Sequence, residues 1–565
     1  MCNDRFPSWF VRWAGMLAMS LTIMLAGTAT ASAAASFDPF DKSLGEIEQA
    51  LDSGKLTSVQ LVDYYLERIE AFDRHGPRLN ALVAVNPRAR QQAAALDRER
   101  RRHGSRSPLH GIPFVVKDNF DAVGFPTTAG SVSLKDVYPH SNAFVVQKLL
   151  DAGAILLGKA NMTEFATSFG RPGYSSMDGA TLNPYDLERT ASGSSSGPAV
   201  AVAANLAAFA LGTDTEGSIR GPASVASLVG LRPTLGLLSR SGILPLATTF
   251  DTPGPLTRAP AGTARVLDVI AGVDQADEAT LIGAQSPAAD YLASLDATAL
   301  DGARIGLVTN FGGANGEVDG IVAQTVKRLR RQGAQVESVT LPESCEDWWS
   351  SIIAPIQNAE FKPDIERYLA GLDGENAPRT LEDIVKRCEA NNERGEGHLV
   401  NPERIAGMKS ALDDHAMASP RYHYLLSYKL PAMRRQLGQL MDQGRFDALL
   451  FATLACPPAP LQHADVKGYQ CHRQSPSSSA TLAAVTGFPA LTLPAGYTRA
   501  GLPVGVSLLG RPLTERRLLS FAAAVRQAHP VRHPPRYATR QLPGDESSRA
   551  TAAPAPDFYD HVASR

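Results

Sequence analysis

The chain has 565 residues, of which 44% are hydrophobic and 20% are charged. This composition is typical of a folded globular protein and excludes a largely disordered one. The 55 Lys and Arg residues nearly balance the 57 Asp and Glu residues, which leaves a net charge of -2. No strong overall field therefore attracts nucleic acid or an anionic membrane surface, and a small-molecule or peptide partner fits better.

The first 35 residues have the order of features that is typical of a secretory signal peptide. Two arginines come before a mostly apolar stretch over 13–26, and a run of small residues follows over 28–35. This order predicts cleavage after Ala33 or Ala35 and export to the periplasm or the medium. An uncleaved membrane anchor is the alternative, although the apolar stretch is short for a span. No later stretch reaches that length, so we expect no stable membrane association after cleavage.

Four cysteines follow the predicted signal peptide: Cys345, Cys388, Cys456 and Cys471. An even number in an exported protein allows two disulfides, and pairing Cys345 with Cys388 and Cys456 with Cys471 is one of three connectivities. Four free thiols are the other possibility, since so long a chain can build a large core without disulfides. Neither C-x-x-C nor H-E-x-x-H occurs, so the sequence predicts no metal site, and no cofactor is expected.

Helical and strand-like segments alternate along the main part of the chain. Apolar residues at helical spacing predict helices between 44 and 69, with a cap at Thr57-Ser58, and the Ala- and Arg-rich stretch 84–102 continues the helical pattern. Buried strands are predicted at 112–116, 155–157, 305–308, 449–453, 490–493 and 504–508. Helices are predicted between them at 142–152, 320–332 and 513–528. Such alternation indicates an α/β fold, a sheet covered by helices on both faces.

Two regions depart from this alternation. Residues from about 345 to 436 carry more charge, two adjacent tryptophans and no strand signal, which predicts a helical insertion over one edge of the core, where substrate selection often resides. A simple packing layer is the alternative. The stretch 534–565 is rich in Pro, Ser, Ala and charge, which predicts a mobile tail. A single domain over 36–533, containing the insertion, is therefore expected.

The strand predicted at 112–116 leads directly into a lysine, Lys117. Burial disfavours the ammonium form and lowers the pKa of a lysine. A neutral amine is what a general base requires. The alternative is a lysine that reaches solvent or pairs with Asp118.

A loop of small residues over 192–197 leads into an Ala-rich helix predicted from Pro198 to Ala208. Proline suits the first helical turn, so the loop is expected at a helix N-terminus, where free N–H groups favour negative charge. A phosphate-binding loop would need G-x-x-x-x-G-K-[ST], which is absent. The loop also fits G-x-S-x-G with Ser195 at its centre, but residues 187–190 are too polar for the buried strand that a Ser-His-Asp hydrolase would need there.

A third segment, over 212–220, forms a tight loop after another apolar run. The backbone N–H groups of Thr215, Glu216, Gly217 and Ser218 could converge on one oxygen. Such an arrangement would be an oxyanion hole, which stabilises the charge that develops on a carbonyl oxygen during acyl transfer.

Together the three segments resemble the amidase signature family. Its pattern is a strand-end lysine, a G-S-S-G-rich loop and then D-T-x-G-S-I-R, which correspond here to Lys117, 193–197 and 214–220. The spacing of 24 residues between Ser194 and Ser218 also matches the family. Further matching stretches are 158–165, 183–186, 229–234, 251–255 and 501–505. The resemblance spans about residues 40–530.

This resemblance implies a large mixed β-sheet with helices on both faces and an enzyme that hydrolyses a carboxamide to a carboxylate and ammonia. It also implies that Ser218 is the nucleophile, that Ser194, held after a cis peptide bond from Gly193, relays its proton, and that Lys117 is the base. A serine hydroxyl is a weak nucleophile until a neighbouring base takes its proton, which agrees with these roles. Many family members have glycine where Glu216 stands, so the predicted oxyanion loop here carries an acidic side chain.

The acidic residue before Gly217 and the Gly-Ser-Ser-Ser-Gly run most resemble the bacterial peptide amidase branch, which removes C-terminal amides of peptides. A general acylamide or aryl amidase of the same family is the alternative. The transamidase subunit that modifies aminoacyl-tRNA shares the motifs, but predicted export argues against it. A non-catalytic binding protein on the same scaffold is disfavoured, because all three catalytic positions are occupied.

Overall fold

The computed structural model describes residue 1 and residues 37–542, except 286–289, 342–346, 373–376, 414, 462–465, 467, 474 and 476. The chain divides into two units, Met1–Asp38 and Pro39–Arg565, and the description below concerns the second. The predicted signal peptide, Cys345 and the tail beyond residue 542 lie outside the described residues.

A large mixed sheet forms the centre of the second unit. The strands are β1 (Leu82–Val85), β2 (Pro113–Lys117), β3 (Ile155–Ala160), β4 (Tyr174–Ser175), β5 (Gly179–Ala180), β6 (Phe209–Asp214), β7 (Val229–Arg232), β8 (Thr252–Thr257), β9 (Arg304–Val308), β10 (Gln335–Val339), β11 (Ala448–Ala452), β12 (Ala490–Tyr497) and β13 (Pro503–Leu509). Within the described residues, one sheet has 11 strands in the order β1-β3-β2-β6-β8-β7-β12-β13-β11-β9-β10, and β4 pairs with β5 separately. The pairs β3-β2, β2-β6, β11-β9 and β9-β10 are parallel. The predicted α/β fold with a large mixed sheet is confirmed.

Helices join and cover the strands. They are α1 (Leu44–Asp52), α2 (Ser58–Arg68), α3 (Ala89–His103), α4 (Phe144–Asp151), α5 (Ser196–Ala203), α6 (Arg220–Val225), α7 (Pro260–Ile270), α8 (Gly316–Arg331), α9 (Ala354–Ala370), α10 (Leu381–Arg394), α11 (Pro402–Ser410), α12 (Pro420–Tyr424), α13 (Leu430–Gly444), α14 (Thr481–Thr486) and α15 (Glu515–Ala528). Shorter helical turns span Ile69–Arg74, Val132–Leu134, Glu164–Ala166, Glu278–Gln285, Trp349–Ile353, Ala416–Ala418, Leu425–Lys429 and Ser478–Ala480. None of the described helices is both long and apolar enough to cross a bilayer.

The start of α2 shows how local sequence sets these elements. Thr57 accepts a hydrogen bond from the N–H of Gln60, and the Gln60 side chain accepts one from the N–H of Thr57. This capping box satisfies N–H groups that a helix start otherwise leaves unpaired. The cap predicted at Thr57 is therefore confirmed.

The six strands and three helices predicted along the α/β core are present, but the stretch 84–102 is not helical throughout. Ala84 and Val85 belong to β1, which pairs with β3, and α3 begins only at Ala89. Pro87 follows Asn86, and a proline disfavours helical geometry in the residue before it. The prediction also missed β6, β7, β8 and β10. The sequence of β8, Thr-Pro-Gly-Pro-Leu-Thr, contains two prolines, which seldom occur in a central strand.

Between β10 and β11 the described residues form α9 to α13 and short helical turns, with no strand. Within this stretch Trp348 is buried, whereas Trp349 is 37% exposed. Near the last described residues, the carbonyls of Ala538 and Thr539 accept hydrogen bonds from Arg68 of α2, at 3.1 and 2.8 Å. Ala538 is fully buried. The packed chain thus continues past the boundary predicted at 533.

Candidate active site

Lys117 lies at the carboxyl end of β2, which runs parallel to β3 on one side and β6 on the other. Its side chain is fully buried, and its Nζ donates to Ser194 Oγ at 2.7 Å and to Thr213 Oγ1 at 2.7 Å. Asp118 pairs instead with Nζ of the buried Lys159, at 3.2 Å. Lys117 therefore neither reaches solvent nor pairs with Asp118, so both alternatives considered for it are wrong.

The environment of Lys117 favours a neutral amine. Burial lowers the pKa of Lys117 to about 7, although the carboxylates of Asp251 and Asp214 act in the opposite direction. At neutral pH about half of the molecules then carry an uncharged amine at this position. Such an amine, in contact with a serine hydroxyl, can accept a proton from it.

The serine loop is held against β6 and the segment after β3. The peptide bond between Gly193 and Ser194 is cis, and the Ser194 carbonyl accepts a hydrogen bond from the Thr163 N–H at 3.1 Å. A Cβ atom on Gly193 would lie 2.3 Å from Thr163 Oγ1, so only glycine fits there. Ser195 turns inward, since its Oγ donates to the Thr213 carbonyl at 3.1 Å and accepts from the Thr213 N–H at 3.3 Å. Ser195 is thus a structural residue, contrary to a Ser-His-Asp site centred on it.

Ser218 lies in the loop that follows β6, beside the serine loop. Its carbonyl accepts a hydrogen bond from the Ser195 N–H at 3.1 Å, which joins the two loops directly. Gly217 has a φ of 149°, and a Cβ atom there would lie 2.7 Å from the Cβ of Ala480, so this turn requires glycine. Among the described residues, no acceptor pairs with the N–H groups of Glu216, Gly217 and Ser218. These groups are available to bind an oxygen of a ligand.

A buried ion cluster fixes this loop at both ends. The carboxylate of Asp214, the last residue of β6, accepts from Arg220 Nε and Nη2 at 3.0 Å each, from Arg232 Nη1 at 3.0 Å, and from the Ile219 N–H at 3.2 Å. Burial opposes ionisation of Asp214, but the two guanidinium groups outweigh it and hold its pKa well below the usual range. The sequence analysis assigns no role to the three charged residues of this cluster, although the D-T-x-G-S-I-R motif contains Asp214 and Arg220.

Ser194 and Ser218 line the same cavity, of about 500 Å³. Thr215, Glu216 and Gly217 also line it, so the cavity brings together all the predicted site residues except Lys117, which lies behind Ser194. Most other lining side chains are apolar, aromatic or hydroxyl-bearing, among them Phe169, Leu246, Trp349, Leu454, Tyr469, Thr163 and Ser168. No histidine is among the described lining residues.

One wall of the cavity contains a disulfide. Cys456, which lines the cavity, is bonded to Cys471, as one of the predicted connectivities has it. Cys388 is a free, buried thiol, and Cys345, with which one of the three connectivities would pair it, lies outside the described residues. Cys388 lies in α10, packs in an apolar cluster with residues such as Leu381 and Val385, and lies 3.9 Å from Ser131 Oγ.

Two contributions to the site were missed from the sequence. Thr213 shares the Lys117 amine with Ser194, and it comes immediately before the Asp-Thr of the third motif. Trp349 lines the cavity from the helical stretch between β10 and β11. The sequence analysis predicts a role in substrate selection for this stretch as a whole and not for Trp349. Within the described part of the chain, no cluster of three or more His, Cys, Asp or Glu side chains could hold a metal ion.

Comparison with known proteins agrees with this geometry. The family model described as Amidase matches residues 60–519. A probable amidase of Arabidopsis thaliana is 32% identical over 542 residues, which cover 92% of this chain and 96% of the relative. A glutamyl-tRNA(Gln) amidotransferase subunit of Myxococcus xanthus is 35% identical over 508 residues, which cover 86% of this chain and 97% of the relative.

Solved structures give the same result. The native peptide amidase of Stenotrophomonas maltophilia has a TM-score of 0.78 and 37% identity, over 88% of this chain and 99% of that one. An amidase family protein of Bacillus anthracis has a TM-score of 0.77 and 31% identity, over 88% of this chain and 92% of that one. The chain therefore belongs to the amidase signature family and is an amidase, a hydrolase of amide C–N bonds.

Proposed function

We propose that this amidase hydrolyses a carboxamide through an acyl-enzyme on Ser218, with Ser194 as proton relay and Lys117 as general base. The contact of 2.7 Å between the buried Lys117 amine and Ser194 Oγ carries the proposal, because it joins a base with a pKa of about 7 to a hydroxyl that lines the substrate cavity.

In the first half of the reaction, Ser218 Oγ attacks the carbonyl carbon of the amide. Its proton passes to Ser194 Oγ, while the proton of Ser194 passes to the neutral amine of Lys117. Negative charge develops on the substrate oxygen, and the N–H groups of the loop from Thr215 to Ser218 stabilise it. The ammonium of Lys117 then returns a proton through Ser194 to the substrate nitrogen, so that the C–N bond breaks and ammonia leaves.

The second half of the reaction repeats these steps with water. Lys117 accepts a proton from water through Ser194, the resulting hydroxide attacks the ester carbonyl, and the returned proton restores the hydroxyl of Ser218. One amide and one water molecule yield one carboxylic acid and one ammonia. No cofactor enters this balance.

For the substrate we propose the C-terminal amide of a peptide. The likeness to peptide amidase and a cavity of about 500 Å³, lined mostly by apolar and hydroxyl groups, support this choice. An ammonia-release screen of peptide amides against simple aliphatic and aromatic amides tests it. Faster turnover of the peptide amides is expected, whereas turnover of the simple amides alone would favour a general acylamide or aryl amidase.

The value of kcat/KM for a neutral amide is expected to rise with pH through a pKa of about 7. The protonated form of Lys117 predominates below this pH and cannot accept a proton, so the rate falls about tenfold for each pH unit below 7. Steady-state kinetics between about pH 5 and 9 measure this limb.

Glu216 complicates the pH profile, because burial and the neighbouring Asp214 raise its pKa to about 7 as well, with Arg220 opposing them. The Glu216→Gln variant separates the two groups. Its profile is expected to keep the rising limb, and a flat profile in this variant would assign the limb to Glu216 and not to Lys117.

A further inference from the structure

The cavity at Ser218 contains the acidic side chain of Glu216. Among the described residues that line the cavity, only Glu216 has an acidic or basic side chain, and the others are apolar, aromatic, hydroxyl-bearing or amide-bearing. The Glu216 carboxylate forms no hydrogen bond or ion pair with another described residue. Arg220 acts on it through space but is already bound to Asp214 by two contacts of 3.0 Å.

The carboxylate of Glu216 is also accessible. The side chain is half-buried, and neither of its oxygens is among the buried side-chain atoms of the described residues that have no partner. Because Glu216 also lines the cavity, a ligand bound there lies close to this side chain. Because Glu216 stands two residues before Ser218, in a loop fixed by Gly217 and by the Asp214 cluster, its charge acts close to the reacting carbonyl.

We propose that Glu216 sets the charge preference of the site: it favours substrates with a positive group on the residue that bears the amide, and it repels carboxylates. This inference rests on the proposed function. An unpaired carboxylate in a cavity lined mostly by apolar and hydroxyl groups attracts a cation and repels an anion more strongly than it would in bulk solvent.

The negative charge of Glu216 also lets the site distinguish the amide substrate from the carboxylate product. Hydrolysis converts a neutral carboxamide into a carboxylate of nearly the same shape, so packing alone distinguishes the two poorly. A fixed negative charge beside Ser218 repels the product and not the substrate, and it thereby limits product inhibition. The pKa of about 7 leaves Glu216 ionised in the same pH range in which Lys117 is neutral.

Two matched pairs of substrates test the proposal at about pH 8, where Glu216 is mostly ionised. The amides of N-acetyl-lysine and N-acetyl-norleucine differ in one positive charge, and those of N-acetyl-glutamate and N-acetyl-glutamine differ in one negative charge. In the wild-type enzyme, kcat/KM is expected to be about tenfold higher for lysine than for norleucine, and about tenfold lower for glutamate than for glutamine.

In Glu216→Gln both ratios are expected to approach one, and the inhibition constant of the product N-acetyl-norleucine is expected to fall by about tenfold. Glu188→Gln is the matched control, because it removes the same charge from an exposed position outside the cavity, and both ratios should stay at their wild-type values.

Equal turnover of charged and neutral amides by the wild-type enzyme would overturn the proposal without any variant. It would leave the proposed function standing, since the neutral amides would still be hydrolysed. Unchanged ratios in a folded Glu216→Gln variant would overturn it as well.

Discussion

Replacement of Ser218 by alanine is expected to lower kcat for amide hydrolysis by about six orders of magnitude, the size of effect that loss of a serine nucleophile produces in other hydrolases. Without the hydroxyl no acyl-enzyme forms, and Ser194 and Lys117 have no proton to move. The fold should persist, because Ser218 joins the serine loop through its backbone carbonyl, which alanine keeps.

Initial rates of ammonia release measure this effect. Ser168→Ala is the matched control, since Ser168 lines the same cavity and has no part in the proposed proton relay; only a few-fold change is expected there. A second measurement is labelling by a fluorophosphonate, which should modify Ser218 and no other residue. An adduct mapped to another serine, or a Ser218→Ala variant that retains substantial turnover, would contradict the assignment.

The three proposed catalytic residues could be located from the sequence because each lies in a short contiguous motif. Lys117 ends an apolar strand, and the two serine loops consist of small residues at family spacing. Burial of Lys117 is also foreseeable, because the segment 112–116 before it is short and apolar throughout, as buried strands are. Their roles in catalysis remain proposals that the experiments above test.

The rest of the site depends on contacts between distant parts of the chain. Thr213 reaches Lys117 only because β6 pairs with β2, and no local pattern marks that pairing. Arg232 meets Asp214 across 18 residues. The isolation of Glu216 is a property of the whole cavity wall, which several separate segments build. Such features follow from the tertiary fold and not from any one motif.

Other predictions failed or stay untested for equally specific reasons. Strand β8 was not predicted because its two prolines have a low propensity for β-strands. It forms a strand because it pairs with β6. Cys388 is a free thiol buried in an apolar cluster, and the connectivity that would pair it with Cys345 involves a residue outside the described part of the chain. The signal peptide over the first 35 residues stays a prediction, since it lies outside the described residues.

Lys117→Met is expected to remove the general base while keeping the fold. Because the relay then has no acceptor for the proton of Ser194, kcat should fall by about four orders of magnitude or more. Methionine has a similar length, so the cavity left behind is small.

The amines of Lys117 and Lys159 are both buried, but only that of Lys159 is paired with a carboxylate at hydrogen-bond distance, in Asp118. The two lysines are therefore a matched pair.

Stability should distinguish the two lysines. The pKa of Lys117 falls from 10.5 to about 7 on folding, so between these values the unfolded chain binds more protons than the native protein does. The contribution of Lys117 to stability therefore rises with pH across this window, and at pH 7 the buried amine costs about 4 kcal/mol. Lys117→Met removes that cost but loses two hydrogen bonds of about 1 kcal/mol each. It should unfold no more easily than the wild type at pH 7, and the rise should disappear.

Lys159→Met should behave in the opposite way. It leaves the carboxylate of Asp118 buried without its cation, which is expected to lower the free energy of unfolding by about 3–5 kcal/mol. Its kcat per folded molecule should fall far less than that of Lys117→Met. Urea unfolding and ammonia-release kinetics on both variants measure the contrast. If Lys117→Met lost stability as Lys159→Met does while keeping its turnover, Lys117 would be a structural residue, and the hydroxyl of Ser218 would need another base.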